Sequence, residues 1–141
     1  MHFAGKDSLL CNYALCAFTY KGHAYSSAEQ AYQVEKARCA GDSASAMGLL
    51  QVRDPPIAYL LGRKVRGLNV ARWDDVRLDR MQAVLEAKFG QHAPSAEALK
   101  ATGDAVLKYN NPQDTFWGIS RTGNGNNYLG KILMRIRQSL H

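Results

Sequence analysis

The sequence has no long hydrophobic run and few cysteines. No segment of its 141 residues approaches the roughly 18 apolar residues that cross a bilayer, and residues 1–7 lack the apolar centre of a secretory signal. We therefore expect a cytoplasmic protein with no membrane partner. The three cysteines, Cys11, Cys16 and Cys39, are an odd number, which argues for reduced thiols. Because their spacing relative to His23 matches no strong zinc motif, we expect no metal.

Several common catalytic motifs are missing as well. The sequence contains no GxGxxG turn between a strand and a helix, no GxxxxGKS/T loop, no GxSxG nucleophile elbow and no HExxH pair. Its four histidines form no obvious catalytic pair, and a nucleophile at Cys39 stays an open alternative that nothing favours. These absences argue against the usual nucleotide-binding, serine-hydrolase and zinc-protease schemes.

The composition describes one domain over residues 1–141, with 46% hydrophobic and 21% charged residues and no repeat or linker. A chain of this size buries roughly 68–70% of the surface that its unfolded form exposes, so its core needs neither a disulfide nor a metal. Nothing in the sequence indicates an oligomer, and a monomer is the simplest expectation.

Positive charge is in excess throughout the chain. Residues 1–70 carry 8 basic and 5 acidic side chains and residues 71–141 carry 10 and 7, so each half contributes +3 to the net charge of +6. An even excess argues for a folded surface that attracts anions, such as nucleic acid, a nucleotide or a phosphorylated metabolite. The alternative is a solvated basic surface without a partner, which composition alone favours.

Alternating residues near the N-terminus predict strands, and helical signals dominate afterwards. Residues 16–20 and 23–25 alternate on either side of the Lys21-Gly22 turn, as in a β-hairpin. We therefore predict a mainly α fold, a single compact helical domain with a short N-terminal β-hairpin.

The first helix has clear signals at both ends. Ser26–Ser27 can cap a helix that runs to about Ala40 and ends before Gly41, with Gln30 or Glu29 completing a capping box. Five further helices are predicted: over 43–51, from Asp54-Pro55-Pro56 to about Arg66, from Asp74 or Asp75 onward, from Ser95 to Gly103, and over 127–140. A weak strand is predicted within 104–110.

Four polar side chains share one face of the first helix. Glu29, Tyr32, Gln33 and Lys36 lie at positions i, i+3, i+4 and i+7, over about 10 Å of helix axis. Taken singly, Glu29 has an ordinary structural role as part of a capping box, and Lys36 has one as a charged side chain exposed to solvent. However, the alanines of this helix allow close packing, which would leave the polar face lining a cleft. There a carboxylate and an amine can become an acid or base and a nucleophile.

The long segment between Tyr109 and Asn127 is a candidate functional loop. Trp117 lies in it, and Trp73 likewise follows a charged or turn-like segment. Buried packing is the ordinary role of either tryptophan alone. If both flank a cleft with Asp114 nearby, they suit a flat base or a sugar.

Two segments are candidates for phosphate binding. Residues 125–131 place glycine and asparagine directly before a helix, where free backbone N–H groups bind anions, although one such turn is a weak signal. Arg63, Lys64 and Arg66 form a basic cluster, which the dipole at a helix end also explains.

These features belong to a longer series of motifs between about residue 9 and residue 140. In order, they are Leu10-Cys11-Asn12-Tyr13, Tyr25-Ser26-Ser27-Ala28-Glu29-Gln30-Ala31-Tyr32-Gln33, Lys36-Ala37, Gly62-Arg63, Trp73, Met81, Lys88-Phe89, Thr102-Gly103-Asp104, Asp114-Thr115-Phe116-Trp117-Gly118 and Gly125-x-Asn127-x-Leu129-Gly130-Lys131. The series resembles the NADAR family, the YbiA-like group of N-glycosidases. Cys11-Asn12-Tyr13 stands where Ser-Asn-Phe is common, and Gln30 where His is common.

The resemblance implies a mainly α-helical fold and hydrolysis of an N-glycosidic bond without a metal or redox cofactor. It places the family's motif glutamate at Glu29, its lysine at Lys36, its loop aspartate at Asp114 and its tryptophans at Trp73 and Trp117. We predict the first three as catalytic. The predicted substrate-binding residues are Asn12, Tyr32, Gln33, Arg63, Trp73, Trp117, Gly118 and Asn127.

The expected reaction breaks the bond between the anomeric carbon of a ribose and a base nitrogen. Asp114 and Glu29 are the candidates for protonating the leaving nitrogen and for stabilising positive charge on the ribose. The Lys36 amine offers a second route through a Schiff base at the anomeric carbon. Arg63 and the turn at Asn127 would hold a diphosphate.

Family members act on N-ribosyl compounds of two kinds. For this chain we favour ADP-ribosylated guanine in nucleic acid, partly because of the net charge of +6, with an ADP-ribosyltransferase toxin as a functional counterpart. The alternative substrate is a phosphoribosylamino-pyrimidine intermediate of riboflavin synthesis. A third alternative is a non-catalytic module that binds ADP-ribose or NAD, which would need no acid, base or amine.

Overall fold

The structure, a computed structural model, describes residues 1–140. Within that range it contains six helices and two small sheets. The elements are β1 (His2–Phe3), β2 (Phe18–Tyr20), β3 (His23–Tyr25), α1 (Ala28–Ala40), α2 (Ser43–Leu49), α3 (Pro55–Gly62), α4 (Val70–Gln91), α5 (Ala93–Ala101), β4 (Lys108–Tyr109) and α6 (Tyr128–Ser139). The predicted mainly α fold with an N-terminal hairpin is confirmed.

The hairpin is antiparallel and rests against the end of α4. Phe18 of β2 lies opposite Tyr25 of β3 in the register. The Gln91 side chain joins the hairpin to α4, because its Nε2 donates to the Thr19 carbonyl at 2.7 Å and its Oε1 accepts the Thr19 N–H at 2.8 Å.

Helix α1 begins and ends where the sequence predicts. The Ser27 hydroxyl accepts the Gln30 N–H at 3.1 Å, and Gly41 ends the helix with a φ of 72°, which favours glycine. The Gln30 Oε1 accepts the N–H of Ser26 at 2.9 Å, so the Gln30 version of the capping interaction is present. The Glu29 version is wrong, because the Glu29 side chain bonds to Gln33 instead.

Two predicted boundaries around the third helix are wrong. Helix α3 ends at Gly62 instead of near Arg66, and the chain continues in turns. Helix α4 starts at Val70 instead of Asp74 or Asp75, because the Asn69 side chain accepts the Arg72 N–H at 3.1 Å and caps the helix. Its first turn therefore lies further upstream.

The start of α5 also differs from the prediction. Ser95 lies inside the first turn, and His92 is the capping residue: its Nδ1 accepts the Ser95 N–H at 3.3 Å. The predicted cap reflects the usual preference for serine, whereas here the imidazole supplies the acceptor. Helix α2 is slightly shorter than predicted and begins after Asp42, whose side chain accepts the Ser45 N–H.

The weak strand predicted within 104–110 is present only as β4. It pairs in parallel with β1, so that His2 lies opposite Lys108 and Phe3 opposite Tyr109. The sequence pattern did not indicate β1, which is two residues long. This pairing anchors the start of the long segment that leads to Asp114.

Helix α1 lies at the centre of the molecule and packs against α2, α3 and α4. Its small residues Ala28, Ala31 and Ala37 are fully buried, which permits this close approach. On α3, a Cβ at Gly62 would overlap the Gln33 side chain, so a larger residue there would displace Gln33 from its present position. Among the helices of residues 1–140, none is long and apolar enough to span a membrane.

Candidate active site

A cavity of about 550 Å³ opens beside α1. Its walls come from the loop before the hairpin, from α1, α3 and α4, and from the segment 109–117. Most predicted site residues line it: Asn12, Glu29, Tyr32, Gln33, Lys36, Arg63, Trp73, Asp114 and Trp117. A cavity of this size suits a nucleotide-sized ligand.

Glu29 is the buried acid of the cavity. Its side chain is 6% exposed, and Oε1 accepts a hydrogen bond from Gln33 Nε2 at 2.8 Å. Burial raises the pKa of Glu29 to about 7; the Asp114 charge raises it too, while the Gln33 hydrogen bond and the Lys36 charge oppose the shift. The carboxyl group therefore exchanges a proton near neutral pH, as a general acid or base must.

This pKa has a consequence for stability, and we expect Glu29→Gln to stabilise the fold at pH 8. The ordinary pKa is 4.5, so between pH 4.5 and 7 the folded protein holds a proton that the unfolded chain releases. The free energy of unfolding then falls with rising pH across this window, by about 3 kcal/mol in all. Glutamine cannot ionise and avoids this loss.

The measurement is urea unfolding of both proteins at pH 4 and pH 8. We expect the difference between the variant and the wild type to change by about 3 kcal/mol in favour of the variant at the higher pH. A difference that is equal at both pH values would show that Glu29 is not held protonated by burial.

Lys36 lies two turns after Glu29 and is half-buried in the same wall. Burial lowers its pKa; the Glu29 charge opposes this shift, and the positive charges of Arg63 and Arg77 reinforce it. A lowered pKa increases the fraction of neutral amine, which is the nucleophilic form.

Asp114 faces these groups from the loop of residues 110–118, which we call the aspartate loop. Its Oδ1 accepts the N–H groups of Phe116 at 3.0 Å and Trp117 at 2.8 Å, so the loop turns around the carboxylate. These bonds fix the orientation of Asp114 and place Trp117 beside it.

Aromatic rings form much of the cavity wall. The Tyr32 ring centroid lies 5.3 Å from that of Trp73 and 5.5 Å from that of Trp117, the latter pair being edge to face. Trp73 is 3% exposed and lies in the first turns of α4, not after a turn as the sequence suggested. Trp117 is less buried, so it has the more accessible ring.

Two predicted site residues lie outside the cavity wall. The Asn127 side chain is occupied by backbone: Oδ1 accepts the Tyr109 N–H at 2.9 Å and Nδ2 donates to the Leu107 carbonyl at 2.9 Å. At Gly118 a Cβ would lie 3.0 Å from the carbonyl oxygens of Tyr109 and Asp114, which explains the glycine by close packing. Asn127 therefore anchors the backbone at β4, directly before the segment that carries Asp114, and Gly118 packs closely within that segment.

The predicted phosphate site at the start of α6 is wrong. The N–H of Tyr128 donates to the Phe116 carbonyl at 3.1 Å, and that of Leu129 donates to the Trp117 carbonyl at 3.1 Å. These donors are therefore not free for an anion. Of the predicted basic cluster, Arg63 alone lines the cavity.

The sequence patterns did not single out several other cavity residues. Arg77 of α4 is the main one; the others include Tyr13, Tyr59, Tyr109 and Phe116. A signal for Arg77 was available, since it lies four positions after Trp73 on the same helix face. The tyrosines offered no comparable periodicity.

Lys88 of α4 supports the site from the core. It is 0% exposed, and its Nζ donates to the Cys11 carbonyl at 3.0 Å. Burial lowers the pKa of Lys88 to about 8. Asn12, which follows Cys11, accepts the Glu29 N–H through its backbone carbonyl at 3.1 Å. The Lys88 hydrogen bond therefore holds the loop before the hairpin against the start of α1.

Metal-ligating side chains are not clustered anywhere in residues 1–140: no group of three or more His, Cys, Asp or Glu could hold an ion there. The thiols of Cys11, Cys16 and Cys39 are free. Burial raises the pKa of Cys11 to about 11, which disfavours a thiolate at that position.

Comparison with known proteins identifies the family of this chain. The model of the NADAR domain matches residues 2–141. The chain belongs to the NADAR family. The NMR structure of YbiA from Escherichia coli superimposes with a TM-score of 0.87 and 28% identity, covering 99% of this NADAR chain and 83% of that chain. The predicted fold and family are thereby confirmed.

Two curated relatives of this NADAR chain differ in length and name. A riboflavin biosynthesis protein of Vibrio vulnificus is 35% identical over 93% of the chain, which spans 35% of that protein. An N-glycosidase of Nostoc punctiforme is 34% identical over 82% of the chain, and the match covers 74% of that protein. The predicted enzyme class, a hydrolase acting on N-glycosyl bonds, is confirmed at this level by the relatives named N-glycosidases.

Proposed function

We propose that this NADAR domain hydrolyses the bond between the anomeric carbon of a ribose and a base nitrogen, and that its substrate is ADP-ribosylated guanine in nucleic acid. The observation that carries the proposal is the meeting of Glu29, Lys36 and Asp114 in one cavity beside accessible aromatic rings. An acid, an amine and a carboxylate in one cavity are what cleavage of an N-glycoside uses.

Glu29 is the general acid in this proposal. A departing base nitrogen leaves readily only when it receives a proton, and a carboxylic acid with a pKa of about 7 still carries that proton near neutral pH. The hydrogen bond from Gln33 holds the carboxyl group in place. Above pH 7 the group ionises, so activity falls on the alkaline side.

Asp114 stabilises the positive charge that develops on the ribose as the bond breaks. Its Oδ1 is held by two backbone N–H groups, so the carboxylate requires little reorganisation during the reaction. Trp117 stacks on the base, and Arg63 at the rim binds the diphosphate.

The enzyme works in the cytoplasm as a monomer, with an ADP-ribosyltransferase as its counterpart.

A second candidate substrate is a phosphoribosylamino-pyrimidine intermediate of riboflavin synthesis. The specific observation in its favour is the name of the Vibrio relative, a riboflavin biosynthesis protein. The net charge of +6 supports a nucleic-acid polyanion, but a phosphorylated metabolite also gains from it.

Incubation with ADP-ribosylated oligonucleotide tests the proposal. We expect micromolar enzyme to release free ADP-ribose, with the Asp114→Asn protein releasing at least about a hundredfold less under the same conditions. The phosphoribosylamino-pyrimidine is assayed in parallel. Cleavage of the pyrimidine alone would assign the second candidate, and calorimetric binding of ADP-ribose without turnover of either compound would leave a binding module.

A further inference from the structure

The cavity is built from two parts of the molecule. Glu29 and Lys36 lie on α1, whereas Asp114 lies on the aspartate loop between β4 and α6. The backbone hydrogen bonds of residues 111–118 all stay within the segment 109–129. Among the residues that the structure describes, no hydrogen bond or ion pair joins 111–118 to α1 or α4. Other contacts must therefore hold the loop against these two helices.

Stacked side chains connect the two parts where hydrogen bonds do not. The guanidinium carbon of Arg77, on α4, lies 3.4 Å from the centroid of the Phe116 ring. The Trp117 ring packs edge to face against Tyr32 of α1, with the centroids 5.5 Å apart. A cation on an aromatic face is attracted to the ring, and more strongly when it is partly removed from water. The stack of Arg77 on Phe116 therefore joins α4 directly to the aspartate loop.

The position of the Arg77 guanidinium follows from this stack. Its buried Nε has no hydrogen-bond partner, which costs stability, and its ion pair with Asp74 is a long contact of 3.7 Å to an exposed carboxylate. Exposed ion pairs stabilise little. The Phe116 ring is thus the contact that accounts for where the guanidinium lies. A guanidinium has a flat face for such stacking, whereas the ammonium group of a lysine has none.

Phe116 is coupled to Asp114 through its backbone. The N–H groups of Phe116 and Trp117 donate to Asp114 Oδ1 at 3.0 and 2.8 Å. The Phe116 carbonyl accepts the Tyr128 N–H at 3.1 Å, and the rings of these two residues lie 4.8 Å apart. A shift of Phe116 therefore moves a hydrogen-bond donor of the Asp114 carboxylate. Misplacing a catalytic group by about 1 Å can lower the rate roughly a hundredfold.

We propose that Arg77 is a positioning residue, whose stack on Phe116 holds the aspartate loop so that Asp114 is presented to the substrate. Arg77 acts through Phe116 and Asp114. Its loss should therefore lower kcat and leave KM nearly unchanged. The catalytic part of the inference rests on the proposed function, because it requires Asp114 to act in the reaction. The hold of Arg77 on the loop is tested without a substrate.

Native-state hydrogen exchange measures that hold. We expect the amides of Phe116 and Trp117 to exchange at least about tenfold faster in Arg77→Ala and in Phe116→Leu, while the amides of α1 keep their wild-type rates. Phe116→Leu removes the ring and leaves every charge in place. Arg77→Lys keeps the charge without the flat face and should behave like Arg77→Ala. Arg72→Ala is the matched control, because Arg72 is exposed on the same helix outside the cavity.

Kinetics supply the second readout. In Arg77→Ala and in Phe116→Leu, kcat should fall at least about tenfold, with KM within about threefold of the wild type. In an Asp114→Asn background, Arg77→Ala should lower kcat by less than about threefold more, because residues that act through one another are not additive. A merely structural loss of stability would add to the Asp114→Asn effect in full.

Three outcomes would overturn the inference: amide exchange that is unchanged in Arg77→Ala and Phe116→Leu, a rise in KM at constant kcat, or a full additional loss in the Asp114→Asn background. In the last two cases Arg77 would act on the substrate itself or on the fold, and the glycosidase proposal would stay intact. Faster exchange of the loop amides without cleavage of any N-riboside would instead refute the proposed function alone. If circular dichroism shows that Arg77→Ala fails to fold, Arg77→Lys and Phe116→Leu decide.

Discussion

Glu29→Gln is expected to lower kcat by about 10²–10⁴-fold with little change in KM. Glutamine has the size of glutamic acid and can still bond to Gln33, so the cavity keeps its shape. It cannot transfer a proton to the leaving nitrogen, and the loss therefore falls on the chemical step. Steady-state kinetics at pH 6, where the wild-type carboxyl group is protonated, measure the effect.

The pH profile separates this role from a structural one. Wild-type kcat should fall as the pH rises through about 7, because the general acid ionises. The residual activity of Glu29→Gln should lack that decrease. Glu86→Gln is the matched control, since Glu86 is exposed on α4 and does not line the cavity. Full activity of Glu29→Gln at pH 6 would remove Glu29 from the mechanism.

Lys36→Arg is expected to abolish a covalent intermediate and to lower turnover by at least about a hundredfold. In the Schiff-base route, the sugar ring opens and the neutral Lys36 amine attacks C1. The base nitrogen leaves with a proton from Glu29, and a C1=N bond to Lys36 forms. Water then adds to that bond and releases the sugar aldehyde and the amine. Arginine keeps the positive charge but cannot form this bond.

Borohydride reduces such an imine to a stable amine, and peptide mass spectrometry then locates it. We expect wild-type enzyme treated with substrate and borohydride to carry the sugar on Lys36 and the variant to carry none. Lys64→Arg serves as control because Lys64 is exposed outside the cavity. If the wild-type enzyme cleaves substrate without a sugar label on Lys36 and Lys36→Arg remains active, then water attacks C1 directly and Lys36 only binds the substrate.

The centre of the site could be predicted because its signals are local. Glu29, Gln33 and Lys36 share a face through helical spacing, and Ser27 and Gly41 determine where that helix lies. Residues on one face of a helix keep their mutual positions in any fold that contains the helix. The resemblance to a family then added Asp114, which spacing alone could not connect to α1.

The remainder depended on contacts between distant segments. Whether the start of α6 offers free N–H groups is decided by the carbonyls of Phe116 and Trp117, which pack against it. Arg77 enters the site only because α4 crosses α1 and brings it under Phe116. A buried lysine such as Lys88 runs against the usual exposure of that residue, so composition predicts the opposite of its position.

The short pairing of β1 with β4 has a consequence for the order of folding. It joins Phe3 to Tyr109, 106 positions further along the chain, so closing this loop costs much conformational entropy. The pairing of two residues per strand stabilises the closed loop only slightly. Helix α1 and its neighbours can associate earlier through closer contacts. The aspartate loop, which follows β4, should therefore become ordered late and be released first under mild denaturation. Loss of catalysis would then precede loss of helical signal.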